Sequence, residues 1–159
     1  MIEFDKVSKT YQDKNTSVHD IDLTITKGEF VTLIGPSGAG KTTLLKLLLV
    51  EEQPTAGTVH FDGVNIHNLR KADIPHYRQR IGVVFQDYKL LQNKTVYENV
   101  AFAMEMVGKS DSEIKADVPY ALELVGLTDK GFSFPTQLSG GEQQRLAIAR
   151  AIINQPDVL

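Results

Sequence analysis

The stretch that most constrains the fold of this chain is Gly35-Pro36-Ser37-Gly38-Ala39-Gly40-Lys41-Thr42-Thr43. It satisfies G-x-x-x-x-G-K-[ST] without a mismatch, the pattern of a phosphate-binding loop. The flanks agree with it. Phe30-Val31-Thr32-Leu33-Ile34 is an apolar, β-rich run that predicts a buried strand. Thr42-Thr43-Leu44-Leu45-Lys46-Leu47-Leu48-Leu49 has the leucine content of a packed helix. Glycines at 35, 38 and 40 let the backbone wrap closely around oxygen atoms, and successive N–H groups then form an anion nest at the positive end of the helix. In such a loop Lys41 reaches the β/γ-phosphates and the Thr42 hydroxyl binds Mg²⁺. The alternative, a glycine-rich turn followed by a lysine, does not account for strand, full motif and helix in this order. The expected ligand is a nucleoside triphosphate with Mg²⁺.

A chain of 159 residues with 42% hydrophobic content is large enough for an ordinary globular core. Seventeen basic side chains against twenty acidic ones leave a formal charge of −3, which is no footprint for nucleic acid. There is no cysteine, so disulfides and thiolate metal sites are excluded. The histidines at 19, 60, 67 and 76 lack metal-ligand spacing. No apolar run approaches the ~20 residues a membrane-spanning helix requires, and the start of the chain has no signal-like apolar segment.

In chain order, Ile2, Phe4 and Val7 predict a short, roughly alternating strand leading to Tyr11, and residues 19–25 alternate with Ile21, Leu23 and Ile25 on one face. Tyr11 is either an ordinary edge-strand tyrosine or a face on which an adenine ring stacks, an interaction of ~1–3 kcal/mol. Thr58-Val59-His60-Phe61 followed by Asp62-Gly63 predicts a small antiparallel meander. Asp73 is placed to cap a short helix through Tyr77 and Arg80. Ile81-Gly82-Val83-Val84-Phe85 predicts a second buried strand delivering Gln86 at its carboxyl end, where α/β sheets bind ligands. That glutamine is either a surface residue or a contact for metal or attacking water.

Thr95 with Glu98 and Ser110 with Glu113 are two capping boxes, each followed by an apolar helical pattern. Pro119 is expected to kink or break the second, and Met104 and Met106 are expected to be packing residues. Two helices with no strand between them predict an all-helical insert over about residues 90–135. Leu138-Ser139-Gly140-Gly141-Glu142-Gln143-Gln144-Arg145 then opens another helix, with Ser139 as N-cap and two glycines exposing the first-turn amides. It is a second anion-binding helix end, or else a plain capped helix with a glycine hinge.

The phosphate loop at 35–42, Gln86 after a predicted strand, and LSGGEQQR at 138–145 together resemble the ATP-binding-cassette (ABC) ATPases, whose signature sequence is LSGGEQQR. The resemblance covers essentially the whole chain. It implies an α/β P-loop NTPase core with an antiparallel β-subdomain and an inserted α-helical subdomain. Within it, 1–87 would be β-subdomain plus P-loop core, 88–136 the helical subdomain, and 137–159 the signature motif, its helix and the start of a Walker B strand. It further implies that two cassettes pair head to tail as an ATP-bound homodimer, each nucleotide lying between one Walker A and the other subunit's signature. Tyr11 would then stack on adenine and residues 35–43 would hold the phosphates. Gln86 would touch Mg²⁺ and sense a membrane partner. Ser139, Gly140, Gly141 and Glu142 would meet the neighbour's nucleotide.

Three stretches, 46–55, 80–91 and 94–100, are most similar to the family's bacterial cell-division branch, which works with a membrane subunit to control peptidoglycan hydrolases. The resemblance places such a protein on the cytoplasmic face of the cell membrane, held there by its partner. Tyr88, Leu90 and Leu91 either pack beneath the helical insert or line a groove for a helix of that partner. The same superfamily leaves open an exporter or importer ATPase of the lipoprotein-release or macrolide-export type. In the family, a Walker B Asp-Glu, a D-loop and a switch histidine follow the position of Leu159. The sequence therefore reads as an N-terminal fragment, C-terminally truncated, that binds nucleotide without turning it over unaided.

Overall fold

The computed structural model describes residues 1–11 and 16–159, and they divide into two units, Met1–Pro75 and His76–Leu159. The first is built on a four-stranded antiparallel sheet of order β2-β1-β3-β4. Its strands are β1 (Ile2–Thr10), β2 (Thr16–Ile25), β3 (Ala56–Phe61) and β4 (Val64–Asn65). Ile2, Phe4 and Val7 of β1 are buried, with Glu3, Asp5 and Lys6 outside. The step from Phe4 to Val7 breaks strict alternation because the register of β1 shifts there and Lys6 takes a φ of 47°. One extra residue at a bulge turns Val7, in place of Lys6, toward the core. Gly57 on β3 lies against this bulge, where a Cβ would come within 2.3 Å of the Lys6 carbonyl oxygen. Asp62 and Gly63 both have positive φ, as a two-residue hairpin loop requires, and set Phe61 opposite Val64. Helix α1 (Lys41–Leu48) belongs to this unit, and the boundary between units falls inside α2 (Ile74–Gln79).

The second unit is organised by α3 (Val96–Glu105), α4 (Asp111–Leu124) and α5 (Gly140–Ile152). Their apolar faces share one core that includes Val96, Val100, Met104, Ile114, Val118, Leu122, Leu127, Leu138 and Leu146. Burying a side chain of this size contributes ~1.5–3 kcal/mol. Each helix starts at a complete capping box. Thr95, Ser110 and Ser139 accept from the amides of Glu98, Glu113 and Glu142 at 3.2, 3.4 and 3.3 Å. The three glutamates accept the cap amides in return at 2.7, 2.9 and 2.8 Å. Both boxes expected from the sequence are formed. Asn99 of α3, fully buried, is a hub that no periodicity shows. Its Oδ1 accepts from the Leu91 amide at 2.9 Å, and its Nδ2 donates to the carbonyls of Leu91, Lys94 and Thr95 at 3.0, 3.0 and 2.9 Å.

Four expectations are corrected. Residues 30–34 form no strand, and Phe30 and Ile34 are 94% and 91% exposed. Among the described residues, 81–85 make only one parallel bridge, Ile81 to Val158, closed by the Gly82 amide donating to the Val158 carbonyl at 2.8 Å. An apolar run records what a segment is able to bury; it is a strand only where a neighbouring backbone completes its ladder. Among the described residues no ladder runs beside 30–34. Pro119 does not break α4, which is continuous from Asp111 to Leu124. Pro119 and Lys115, the residue four back that would have accepted its hydrogen bond, are both exposed, so water can reach that carbonyl. Met104 is in the core as expected, but Met106 is 66% exposed because it lies past the end of α3.

Asn99→Ala should strand the part-buried Leu91 amide and destabilise the protein by about 1–3 kcal/mol, read from denaturant unfolding. A change below a few tenths of a kcal/mol would show that the hub is solvated.

The capping boxes also set an acid limit. Hydrogen bonds from the cap residues hold Glu98 and Glu142 below the usual carboxylate range. Glu113, bonded first to Lys109 and then to Ser110, is lowered from 4.5 to about 2. A carboxyl depressed in the folded state stabilises it above the unfolded value, and that contribution is lost as pH falls through the folded value. For Glu113 the window runs from 4.5 down to about 2. Thermal midpoints followed by helical circular dichroism should fall across this window. The triple variant Glu98→Gln, Glu113→Gln, Glu142→Gln should show a flatter profile, and an equal slope in both proteins would refute the assignment.

Candidate functional site

The phosphate-type loop ends where expected, at the start of α1. Gly40 is its N-cap, with φ of 87° and ψ of 4°, and the first turn carries neither an acidic residue nor a side-chain cap. The amides at this helix end are therefore not taken up by a neighbouring side chain, unlike those of α3, α4 and α5. Gly40 is buried against β2: a Cβ there would meet the Ser17 carbonyl oxygen at 2.3 Å and Val18 Cγ1 at 2.5 Å. Only glycine fits, by space and by φ together. Thr43 is buried, and its Oγ1 lies 2.6 Å from the Ser17 Oγ, which ties α1 to β2. Ser17 thus supports the loop although no sequence motif marks it.

Lys41 folds its ammonium back over the loop, donating to the carbonyls of Gly35 and Pro36 at 2.7 and 2.8 Å. The Ala39 amide donates to the Pro36 carbonyl at 3.2 Å. Residues 31–39 and Thr42 are exposed. A phosphate fits this arrangement. The uncapped amides of α1 and the glycine turn supply N–H donors, Lys41 supplies a cation already held over the loop, and the exposed Thr42 supplies a hydroxyl for a hydrated divalent cation.

Tyr11 follows β1 and is half-buried, with the Lys9 ammonium 5.1 Å from its ring centroid. Lys9 is itself anchored to Glu52 at 2.8 Å and to the Gln53 carbonyl at 2.8 Å. The cation fixes the ring just past the end of β1.

Gln86 and the signature stretch lie in the second unit. Gln86 is exposed and is followed by Asp87, whose carboxylate pairs with Lys89 at 2.6 Å and is held below its usual range by that bond. Of the three apolar residues beyond it, Leu90 is in the helical core, Tyr88 packs against that core and Leu91 is half-buried.

Ser139 caps α5, and Gly140 and Gly141 are exposed at its first turn. The Ser139 hydroxyl donates to Glu142 at 2.7 Å, and Lys130 stands 3.9 Å from the same carboxylate. Sequence reasoning finds the serine and the glycines but misses the side chains along the rest of α5. Gln143 donates to the carbonyls of Pro135 and Leu138, Arg145 to Val125, and Arg150 to Tyr88 and Lys89. In the sequence they read as ordinary solvent-facing helix residues.

Known proteins resemble this chain over essentially its whole length. The profile of the ABC transporter family matches residues 18–159. The chain is 52% identical to the cell division ATP-binding protein FtsE of Mycobacterium tuberculosis, over 160 residues that cover 100% of this chain and 70% of that protein. It is 46% identical to FtsE of Escherichia coli, covering 100% of this chain and 72% of the relative. Among solved structures, an ATP-binding cassette captured as a dimer in a post-hydrolysis state with ADP and Pi superposes with a TM-score of 0.87 at 34% identity, over 98% of this chain and 71% of that one. CbiO1 of Clostridium perfringens, part of the transporter complex cbiONQ, also gives 0.87, at 28% identity, over 98% and 62%.

Proposed function

The chain belongs to the ABC transporter family of ATP-binding cassettes, closely related to FtsE, and on that premise we propose that it is the nucleotide-binding subunit of a cell-division complex. It binds ATP with Mg²⁺ through residues 35–43, pairs with a second copy when ATP is bound, and couples hydrolysis to an FtsX-like membrane subunit that controls peptidoglycan hydrolysis. That partner holds it at the cytoplasmic face of the membrane. Residues 1–87 serve as β-subdomain and P-loop core, 88–136 as helical subdomain, and 137–159 as signature motif, its helix and the start of the Walker B strand.

The observation that carries this reading is the pair of differently finished helix ends. The end at Lys41 has no side-chain cap and carries a lysine over its loop. The end at Ser139 is capped and flanked by two exposed glycines. The first is suited to primary capture of a triphosphate. The second suits a late contact with a phosphate that another subunit already holds. The similar cassette bound to ADP and Pi is likewise a dimer, which supports such a pairing here. In hydrolysis, water attacks the γ-phosphorus and the bond to the β-bridging oxygen breaks. Charge moves onto the β–γ bridging oxygen and the β-phosphate that departs with it, which is where Lys41 acts. Thr42 would help hold the Mg²⁺ that supplies positive charge there, and Gln86 takes the role that the family resemblance gives it. Tyr11 carries the adenine.

Lys41→Ala in the full-length protein should lower ATP turnover by about 10²–10³-fold, as removal of one preorganised donor does. Near-normal turnover would refute the loop's role.

Gly141→Ala separates the second end from the first. A methyl group there meets nothing closer than the Arg145 Nη1 at 3.9 Å, so folding and monomeric ATP binding should be retained. ATP-driven dimerisation, measured by light scattering, and hydrolysis should both fall, and Ser139→Ala should act in the same direction. Loss of monomer affinity equal to that of Lys41→Ala would overturn the head-to-tail arrangement.

A further inference from the structure

Two residues after Gln86 the backbone enters a conformation that side-chain-bearing residues rarely adopt. Tyr88 and Lys89 are consecutive and left-handed, with φ of 57° and 48°. Neither is a glycine, asparagine or aspartate, the types that tolerate this region. The Tyr88 amide donates to the Phe85 carbonyl at 3.0 Å, and the Lys89 amide donates to the Asp87 carbonyl at 2.6 Å, closing a tight three-residue turn centred on Tyr88. A turn of this kind persists only where its surroundings hold it.

What holds it is Arg150. From α5 its Nη2 donates to the Tyr88 carbonyl at 2.6 Å and its Nη1 to the Lys89 carbonyl at 2.7 Å. The planar fork of a guanidinium matches two adjacent carbonyls turned the same way, which a lysine ammonium cannot reproduce. Arg150 is half-buried and burial lowers its pKa, yet both of these acceptors are neutral carbonyls. Asp87, the acid that precedes the turn, is paired with Lys89 at 2.6 Å. Tyr88 also packs against the core shared by α3, α4 and α5, so the turn is gripped by side chain and backbone at once.

We propose that Arg150 is a positioning residue: by clamping the left-handed Tyr88–Lys89 turn to α5, it fixes the loop that carries Gln86 and makes that loop move with the signature helix. The helix beginning at Gly140 places Arg150 about 15 Å along its axis from the signature end, so a displacement at Ser139–Gly141 reaches the Gln86 loop through one rigid element. The consequence for turnover rests on the proposed role of Gln86; the clamp itself does not.

The test uses the full-length protein with hydrogen exchange over residues 86–91 and steady-state ATPase kinetics. Arg150→Gln should accelerate exchange in that segment by about tenfold or more while α3 stays protected. It should lower kcat by about tenfold through misplacement of Gln86, with the KM for ATP within about twofold. Arg150→Lys, which keeps the charge without the fork, should fall between the two. Lys89→Gly removes the left-handed penalty at one position and, added to Arg150→Gln, should restore part of both protection and kcat. Unchanged exchange at 86–91, equal acceleration throughout α3 and α5, or a further loss on adding Lys89→Gly would each overturn the clamp. If Gln86→Ala lowers turnover and Arg150→Gln does not, the coupling fails alone. If exchange responds as expected but neither variant changes turnover, the clamp stands and the role of Gln86 fails.

Discussion

The structure depends on how each helix disposes of the amides at its first turn. A helix begins with four N–H groups that have no partner inside it. For α3, α4 and α5 the chain supplies Thr95, Ser110 and Ser139, each answered by a glutamate three residues on. For α1 it supplies glycine and no carboxylate. A reciprocal cap fixes where a helix starts and removes its appetite for an anion. Leaving α1 without one sacrifices local stability at a place where an anion can be bound, and the loss is offset by burying Gly40 and Thr43 against Ser17 and Val18 of β2.

What can be read from the sequence follows the same division between local and distant causes. The capping boxes, the Asp62-Gly63 hairpin, the amphipathic face of β2 and the start of α1 depend on residues within a few positions of one another. All are present. The runs at 30–34 and 81–85 look like strands because of what they could bury, yet strand formation is decided by a partner elsewhere in the chain. Only Ile81 finds one, at Val158, the same 77 positions away that separate Arg80 from Asp157. At Pro119 the ring alone argues for a break in the helix, but solvent exposure lets water serve the freed carbonyl, and exposure is not written in the local sequence. In the candidate site the glycines, Lys41 and Ser139 are legible because motif spacing encodes them. Ser17, Asn99 and Arg150 are not, since they act on groups 26, 8 and 62 residues distant.

Helix α5 shows what such distant contacts accomplish. One face buries Leu146, Ala147 and Ala149. Side chains off that face reach the carbonyls of Pro135 and Leu138, of Val125, and of Tyr88 and Lys89, and Asn154 just past the helix reaches Ala103. Most of these bonds satisfy a carbonyl in a connecting segment that no ladder serves. A charged donor to a carbonyl is worth more than a neutral one, about 1.5–3 kcal/mol, so the two arginines weigh most. The helix that opens with the signature glycines is therefore also the part that holds the loops of its unit in place.

Glu142 gives the two helix ends a different readiness for phosphate. Its carboxylate accepts the amide and hydroxyl of Ser139, and these bonds keep it ionised well below its usual range. A phosphate approaching this turn meets a resident negative charge, only partly offset by Lys130 at 3.9 Å. At the α1 end it meets amides without a side-chain cap and the Lys41 ammonium. Free nucleotide in solution should thus prefer α1, whereas the α5 end gains from a phosphate only when the rest of the nucleotide is already held and its approach is directed. Under the proposed pairing this fixes an order, capture first and closure of the dimer second, and the order comes from the placement of one carboxylate.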